Sequence, residues 1–316
     1  MSTDDLLAEI EPLLGRASPP VVSTIEAGAV ARFAEAVGEP IDDDDGGLLV
    51  PPTFLCSLRY RRPPMPRDAE DRMVIVDNAL TLARLPVVGE RLTATASFTR
   101  AWQRGPFVVL ELACRYTDDH AAEVAVFTCS WLLDPERPAP VAAPILRRAR
   151  DERVARSEEA DVDGHGGPDP RPARAWPAID PRALRVGDEI RPLAKAPLGT
   201  RQLVQWAGAS RDYNPIHYDA HHAAKLGFSD VIAPGLLKMA ILGEHVTLWS
   251  HRWGRLRRLE ARYRGVDLPG ARLTARATVA AVELRADRGP LVTLRLSLAD
   301  EDGEEKTVGS ALVETI

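Results

Sequence analysis

The sequence lacks the features that mark secreted, membrane and metal-binding proteins. Its three cysteines are an odd number without metal-ligand spacing, so neither a disulfide framework nor a zinc site is expected. No apolar run reaches the roughly 18 residues that a membrane span needs. The acidic start, residues 1–5, lacks the basic segment of a signal peptide. We therefore expect a cytoplasmic protein with reduced thiols and no membrane partner.

Basic residues are also fewer than acidic ones. Lys and Arg number 40 against 46 Asp and Glu, which gives a net charge of −6 and a pI near 5.7. That balance argues against a nucleic-acid-binding surface. The chain has 316 residues, enough for two domains or one large one, and its 45% apolar residues are enough for a proper core.

One segment carries candidate chemistry. Asp212 and His217 lie five positions apart across the dipeptide Asn214-Pro215, which predicts a turn because Pro215 has no N–H and keeps the preceding residue out of the α region. A carboxylate and an imidazole on one turn can converge on a water molecule. Gly235 then opens an apolar run, residues 236–242, and a glycine at a helix start presents backbone N–H groups to a developing oxyanion.

These residues resemble a known family. Asp212-Tyr213-Asn214-Pro215-Ile216-His217, followed by Gly235, is similar to the signature of the MaoC-like (R)-specific enoyl-CoA hydratases, or hydratase 2. The resemblance implies that the Asp and His hold and activate water and that the Gly N–H polarises a thioester carbonyl. The family usually has His before the Gly, whereas this chain has Pro234, which affects the detail of the pocket.

The implied activity is a hydro-lyase that adds water reversibly to trans-2-enoyl-CoA to give (R)-3-hydroxyacyl-CoA, as in fatty acid metabolism. The substrate would be a thioester of coenzyme A or of acyl carrier protein, with no metal or redox cofactor. Two alternatives stay open: a 3-hydroxyacyl thioester dehydratase of an assembly pathway, and a non-catalytic acyl-thioester-binding subunit. A homodimer or a partner subunit is compatible with each.

The second half of the chain repeats the first. Gly270-Ala-Arg-Leu-Thr-Ala matches Gly89-Glu-Arg-Leu-Thr-Ala, and Gly289-Pro-Leu-Val matches Gly105-Pro-Phe-Val. Residues 232–237 match 50–55, and residues 206–209 match 33–36. The spacing between matched residues grows across the signature, so the second copy carries roughly nine extra residues there.

The first copy lacks the chemistry. Glu39 stands where Asp212 would be, Thr53 stands where Gly235 would be, and no histidine precedes His120. We therefore predict a degenerate dehydratase-like half over residues 1–134, a Pro-rich and charged linker over 135–176, and a catalytic half over 177–316.

Helices followed by strands in each copy indicate an α+β fold. The resemblance implies a double hot-dog fold: two antiparallel sheets, each wrapped round a central helix starting near Thr53 or Gly235. The pattern also predicts a helix over residues 5–15, a capping box at residues 23–26 that starts a second helix ended by Gly38, a short helix at 145–156, and strands near 91–98, 107–116 and 124–133.

Further residues are candidates for substrate binding. Tyr213 and Asn214 lie within the signature and Leu236 follows Gly235; all three are expected to bind or orient the substrate. Arg257 and Arg258 belong to a basic cluster that could reach the phosphates of coenzyme A or form a solvated face. His221 and His222 follow Asp219, a predicted N-cap, and are interpreted as surface residues because no third ligand has suitable spacing.

Overall fold

The structure is a computed structural model that describes residues 2–41, 48–65, 73–135, 176, 179–285 and 289–316. The described helices are α1 (Thr3–Ile10), α2 (Ala27–Val37), α3 (Thr200–Ser210), α4 (Ala220–Lys225) and α5 (Gly235–Ser250). The described strands are β1 (Val21–Thr24), β2 (Met73–Leu82), β3 (Arg91–Arg104), β4 (Phe107–Thr117), β5 (Glu123–Leu133), β6 (Glu189–Pro197), β7 (Gly254–Tyr263), β8 (Arg272–Glu283), β9 (Leu291–Ala299) and β10 (Glu305–Thr315).

In the described part of the chain these strands form a single ten-stranded sheet in the order β1-β3-β4-β5-β2-β7-β10-β9-β8-β6, and every neighbouring pair is antiparallel. The predicted strands near 91–98, 107–116 and 124–133 and their antiparallel pairing are confirmed, and the two sheets that were expected are joined edge to edge into one. The sheet is pseudo-symmetric about its centre: counted outward from the centre, each strand of the first half matches the strand of the second half at the same position. The two halves are joined where β2 pairs with β7, with Asn78 opposite Ala261.

The central helix of the second half is α5. It contacts β6 to β10 and also β2, and every residue from 237 to 246 is buried. A helix that is apolar on all sides is stable only when it is enclosed, and the curved sheet encloses this one. The expected hot-dog arrangement, a sheet wrapped round a helix, is confirmed in this half.

The matching helix of the first half is much shorter than expected. A central helix was predicted from near Thr53, but the structure has a six-residue 3-10 helix, Pro52–Ser57, that ends in extended backbone at Leu58. Pro63 and Pro64 follow and cannot continue a helix, because each lacks an N–H and restricts the residue before it. The 3-10 helix packs against the middle of α5, where a Cβ on Gly243 would lie 2.9 Å from Thr53 Cγ2.

The predicted capping box at residues 23–26 is wrong. Ser23 and Thr24 belong to β1 and pair with Leu92 and Arg91 of β3, so their backbone is used by the sheet. The N-cap of α2 is Glu26, which makes no side-chain capping bond. The other end was predicted correctly: Gly38 ends α2 with φ +83°, a conformation that glycine adopts without strain.

The two halves also meet through α2 and α3, which are equivalent in the repeat. The rings of Phe33 and Trp206, matched residues of the two copies, lie 5.2 Å apart, and Gln202 Nε2 donates to Ala36 O at 2.9 Å. The strands fall within the predicted halves 1–134 and 177–316, whose boundaries stay a prediction. The predicted helix at 145–156 and nearly all of the linker lie outside the described residues.

Candidate active site

The signature segment begins with a left-handed residue at the end of α3. Arg211 has φ +61°, an uncommon conformation for a residue with a side chain. It turns the chain sharply out of the helix, and the Asp212 N–H then donates to Ser210 Oγ at 3.2 Å. Ser210 in turn donates to the Trp206 carbonyl at 2.7 Å. The start of the segment is thereby tied to the last turn of α3.

The predicted turn at Asn214-Pro215 is confirmed and is one turn of 3-10 helix, Pro215–His217. The Asn214 side-chain oxygen accepts from the Ile216 N–H at 3.3 Å, and its carbonyl accepts from the His217 N–H at 3.1 Å. Proline fits the first position because that position needs no N–H. This local geometry carries His217 back toward Asp212.

The carboxylate and the imidazole do converge. His217 Nε2 lies 3.6 Å from Asp212 Oδ2, farther than a direct hydrogen bond. The other ring nitrogen, Nδ1, lies 2.7 Å from the Ile232 carbonyl, which can only accept, so Nδ1 carries the proton. Nε2 therefore presents a lone pair beside the carboxylate. The His217 side chain is buried, while 30% of the Asp212 side chain remains accessible.

Burial keeps His217 neutral. Loss of hydration lowers the pKa of His217 below its usual 6.5, and this effect exceeds the opposing attraction of the Asp212 carboxylate and the hydrogen bond to Ile232. The nearby Lys238 ammonium lowers the pKa of His217 further. A neutral imidazole at pH 7 can accept a proton from a water molecule.

Gly235 is the first residue of α5, as predicted, and Pro234 is the N-cap. The first bond of the helix runs from the Lys238 N–H to the Pro234 carbonyl at 3.3 Å, so the N–H of Gly235 precedes the helical ladder and lies at the positive end of a 16-residue helix. The segment that leads into the helix also holds the histidine. Ile232 accepts from His217 through its carbonyl and donates to the Ile216 carbonyl at 3.1 Å.

A buried ion pair fixes the helix start, and sequence reasoning missed it. Lys238 and Asp267 are each 2% exposed, and Lys238 Nζ lies 3.0 Å from Asp267 Oδ2 and 3.0 Å from the Gly265 carbonyl. The Asp267 carbonyl accepts from the Ala233 N–H at 2.8 Å. Asp267 thus holds both α5 and the segment before it. A lysine inside an enclosed apolar helix was the available signal.

The remaining candidates for substrate binding are Tyr213 and Asn214, within the signature, and Leu236, after Gly235. Tyr213 is 62% exposed, and its carbonyl accepts from the Tyr218 hydroxyl at 2.8 Å. Asn214 is exposed, and its side-chain oxygen serves the turn. Leu236 is half-buried in the first turn of α5. Their role toward a substrate stays a prediction.

Arg257 and Arg258 are not brought to the dyad. They lie at a bulge in β7 between Leu256 and Leu259, whose buried side chains take the α5 side of the sheet, so both arginines lie on its outer face. Arg257 pairs with Glu314 and donates to the Ala83 carbonyl, and Arg258 pairs with Glu260 and Thr81. Whether they bind the phosphates of coenzyme A or form a solvated face stays a prediction.

The histidines after the signature are peripheral, as predicted. Asp219 caps α4 by accepting from the His222 N–H at 3.0 Å, Gly227 follows with φ +89°, and His221 is exposed. Within the described ranges, no group of three or more His, Cys, Asp or Glu is arranged to hold a metal ion. The described cysteines are free thiols.

Among the residues of the first half that the structure describes, no carboxylate and imidazole converge as Asp212 and His217 do. Glu39 and Thr53 are 5% and 2% exposed, and Thr53 is packed against Gly243 rather than opening a long helix. Beside Glu39, a Cβ on Gly38 would lie 2.9 Å from Lys195 Nζ, which is paired with the fully buried Glu244 at 2.9 Å. The Lys195 side chain of the second half thus reaches the end of α2.

The fold and the site define a double hot-dog protein with an acid–base pair and a helix N-terminus in its C-terminal half. Residues 183–300 match the family model described as MaoC like domain. A search of curated protein sequences finds no significant match. No helix among the described residues is long and apolar enough to cross a membrane.

Solved structures share the whole fold. A MaoC-like dehydratase aligns with a TM-score of 0.70 at 17% identity, covering 96% of this chain and 99% of the other. The peroxisomal multifunctional enzyme type 2 of Drosophila melanogaster aligns with a TM-score of 0.61 at 16% identity, covering 99% of this chain and 52% of that enzyme. A Mycobacterium tuberculosis protein described as a double hot-dog fold aligns at 0.60 with 15% identity, covering 96% of each chain.

Proposed function

We propose that the C-terminal half catalyses the reversible addition of water to a trans-2-enoyl thioester. The water oxygen bonds to C3, a proton bonds to C2, and the carbon–carbon double bond becomes single. The product is a 3-hydroxyacyl thioester, with the (R) configuration that the resemblance implies. The match of residues 183–300 to the family model described as MaoC like domain supports a reaction of this type.

The observation that carries the proposal is the 3.6 Å gap between His217 Nε2 and Asp212 Oδ2. His217 Nε2 presents a lone pair, since the imidazole proton is on Nδ1, and the carboxylate oxygen of Asp212 is also an acceptor. A single water molecule can donate one hydrogen bond to each and keep its oxygen lone pairs free for attack on C3. One of the two groups accepts the proton from the water and then delivers it to C2 on the same face, which accounts for syn addition.

The helix N-terminus supplies the second requirement. Addition at C3 moves negative charge to the thioester oxygen, and the Gly235 N–H lies at the positive end of α5, where such charge is stabilised. His217 and Gly235 are held by one short segment, because Ile232 binds the imidazole and α5 begins at Gly235. Acid–base and oxyanion groups are therefore fixed relative to each other.

The acyl carrier is coenzyme A or acyl carrier protein, and the proposed chemistry uses no metal or redox cofactor. The same site catalyses dehydration when the hydroxyacyl thioester is supplied, so a dehydratase of an assembly pathway differs in direction and not in mechanism. A non-catalytic acyl-thioester-binding subunit would keep the fold without turnover.

The test is turnover by the purified single chain, measured as loss of the ultraviolet absorption of the conjugated enoyl thioester. We expect Asp212→Asn and His217→Ala each to lower kcat by about 10² or more, as for other acid–base groups, with unchanged circular dichroism. His221→Ala is the matched control because that imidazole is exposed. Hydration at nearly the wild-type rate by a folded Asp212→Asn or His217→Ala protein would contradict the assignment of these residues. Thioester binding without turnover by the wild type would favour the non-catalytic binding subunit.

A further inference from the structure

A buried hydrogen bond crosses from the N-terminal half to the C-terminal half beside the oxyanion glycine. The Tyr263 hydroxyl, at the end of β7, donates to Asn78 Oδ1 in β2 at 2.8 Å. Asn78 is 1% exposed, and its amide nitrogen donates to the Thr128 carbonyl of β5 at 3.5 Å. Because Asn78 is paired with Ala261, Tyr263 is its diagonal neighbour on the inner face of the sheet.

The ring of Tyr263 lies directly against Gly235. A Cβ built on Gly235 would be 2.9 Å from both Cε2 and Cζ of the ring, a separation at which something must shift. The Lys238 ammonium, one turn farther along α5, lies 5.3 Å from the ring centroid. The first turn of α5 therefore rests on the tyrosine ring, and glycine is the residue that permits the contact.

We propose that Asn78 and Tyr263 are positioning residues for the Gly235 N–H, so that the half without the acid–base turn contributes to catalysis in the other half. This inference rests on the proposed function. Asn78 holds the hydroxyl, the hydroxyl fixes the tilt of the ring, and the ring sets how far the start of α5 can move toward the sheet. Neither residue needs to touch the substrate.

The expected effect follows from what an oxyanion donor does. Such a donor must lie about 2.7–3.1 Å from the oxygen in the transition state, and a displacement near 1 Å can cost about 10²-fold in rate. Loss of one hydrogen bond that holds the ring permits a smaller shift, so we expect kcat to fall about tenfold. KM should stay the same, because the lost stabilisation belongs to the transition state.

The kinetic experiment uses Tyr263→Phe, which keeps the ring and removes the hydroxyl, and Asn78→Ala, which removes its partner. Each should lower kcat about tenfold, and the double variant should be no slower than the slower single variant, because both lose the same bond. Thr81→Val is the matched control: Thr81 accepts from Arg258 Nη1 at 2.8 Å across the same two strands, but on the outer face. It should leave kcat unchanged.

A second measurement does not depend on activity. Pro-Gly occurs at two places in the sequence, 234–235 and 269–270. Protein labelled with carbonyl-¹³C proline and ¹⁵N glycine therefore gives two selected amide signals, Gly235 and Gly270. Tyr263→Phe and Asn78→Ala should move the Gly235 signal and leave Gly270, whose N–H is bound to the Leu198 carbonyl at 2.7 Å, in place. Thr81→Val should move neither.

The outcomes separate this inference from the proposed function. If the wild-type protein hydrates no enoyl thioester, the proposed function is wrong. The Gly235 amide signal then still tests whether Tyr263 and Asn78 position the start of α5. An unmoved Gly235 signal in both variants overturns the positioning role. So does a kcat within about twofold of wild type for Tyr263→Phe, or rate losses that multiply in the double variant, since independent effects add in free energy.

Discussion

Replacing Lys238 by methionine tests how far the buried ion pair holds the start of α5. The change keeps most of the side-chain volume and removes the ammonium, which leaves the Asp267 carboxylate buried without its cation; the two side chains are 3% and 2% accessible. Breaking a buried pair from one side costs about 3–5 kcal/mol. At about 2–4 °C per kcal/mol for a large domain, we expect the melting temperature to fall by roughly 10 °C.

The assay is thermal unfolding followed by circular dichroism, with two comparison proteins. Lys238→Met combined with Asp267→Leu removes both charges and should recover much of the loss, because well-packed apolar side chains often replace a buried ion pair at little cost. Arg115→Met breaks an exposed pair with Glu123, with side chains 64% and 46% accessible, and should cost less than about 1 kcal/mol.

The reasoning would be refuted if Lys238→Met melted within about 2 °C of the wild type, since that shift corresponds to less than about 1 kcal/mol. It would also fail if the double variant melted no higher than the single variant. Either result would mean that the Asp267 carboxylate is solvated or relaxes, and that Asp267 holds Ala233 through its backbone alone.

Three further predictions concern catalysis. The acid limb of the kcat/KM profile should lie below pH 6.5, because burial lowers the pKa of His217. In the residual activity of Asp212→Asn the limb should lie at still lower pH, because the lost carboxylate no longer raises that pKa, and a limb above pH 6.5 would contradict this reasoning. Glu39→Gln should keep kcat within a few-fold of wild type, and a loss as large as that of His217→Ala would show that the first half is itself catalytic. Medium, long or branched enoyl-CoAs should have a higher kcat/KM than crotonyl-CoA, because the first half has a short 3-10 helix in place of a full central helix and so leaves room for the acyl group. Each buried methylene should contribute roughly 0.8 kcal/mol, and crotonyl-CoA as the best substrate would contradict this reasoning.

Features that depend on neighbouring residues were predictable from the chain alone. The strands near 91–98, 107–116 and 124–133 follow from their apolar, β-rich composition, since successive side chains of a strand point to opposite faces. The turn at Asn214-Pro215 follows from the restrictions that proline places on itself and on the preceding residue. The repeat and the lost signature of the first half needed only a comparison of the chain with itself.

Local patterns failed where two structures compete for the same residues. The Ser and Thr at 23–24 suit a helix cap, but pairing with β3 takes their backbone. The apolar start near Thr53 resembles the start of α5, yet it forms one short 3-10 helix, and α5 of the other half packs against it. A pattern that suits two arrangements does not choose between them.

The sequence by itself determined the repeat, the sheet-forming strands, the acid–base turn and the helix that begins at Gly235. The tertiary structure alone decided which side chains support them. Tyr263 and Asn78 are 185 positions apart and Lys238 and Asp267 are 29 apart, and each pair meets only because β2 joins β7 and because α5 is enclosed by the sheet. The identity of an asparagine or lysine does not specify its hydrogen-bond partner. A buried polar side chain bonds to the group that the packed fold places beside it.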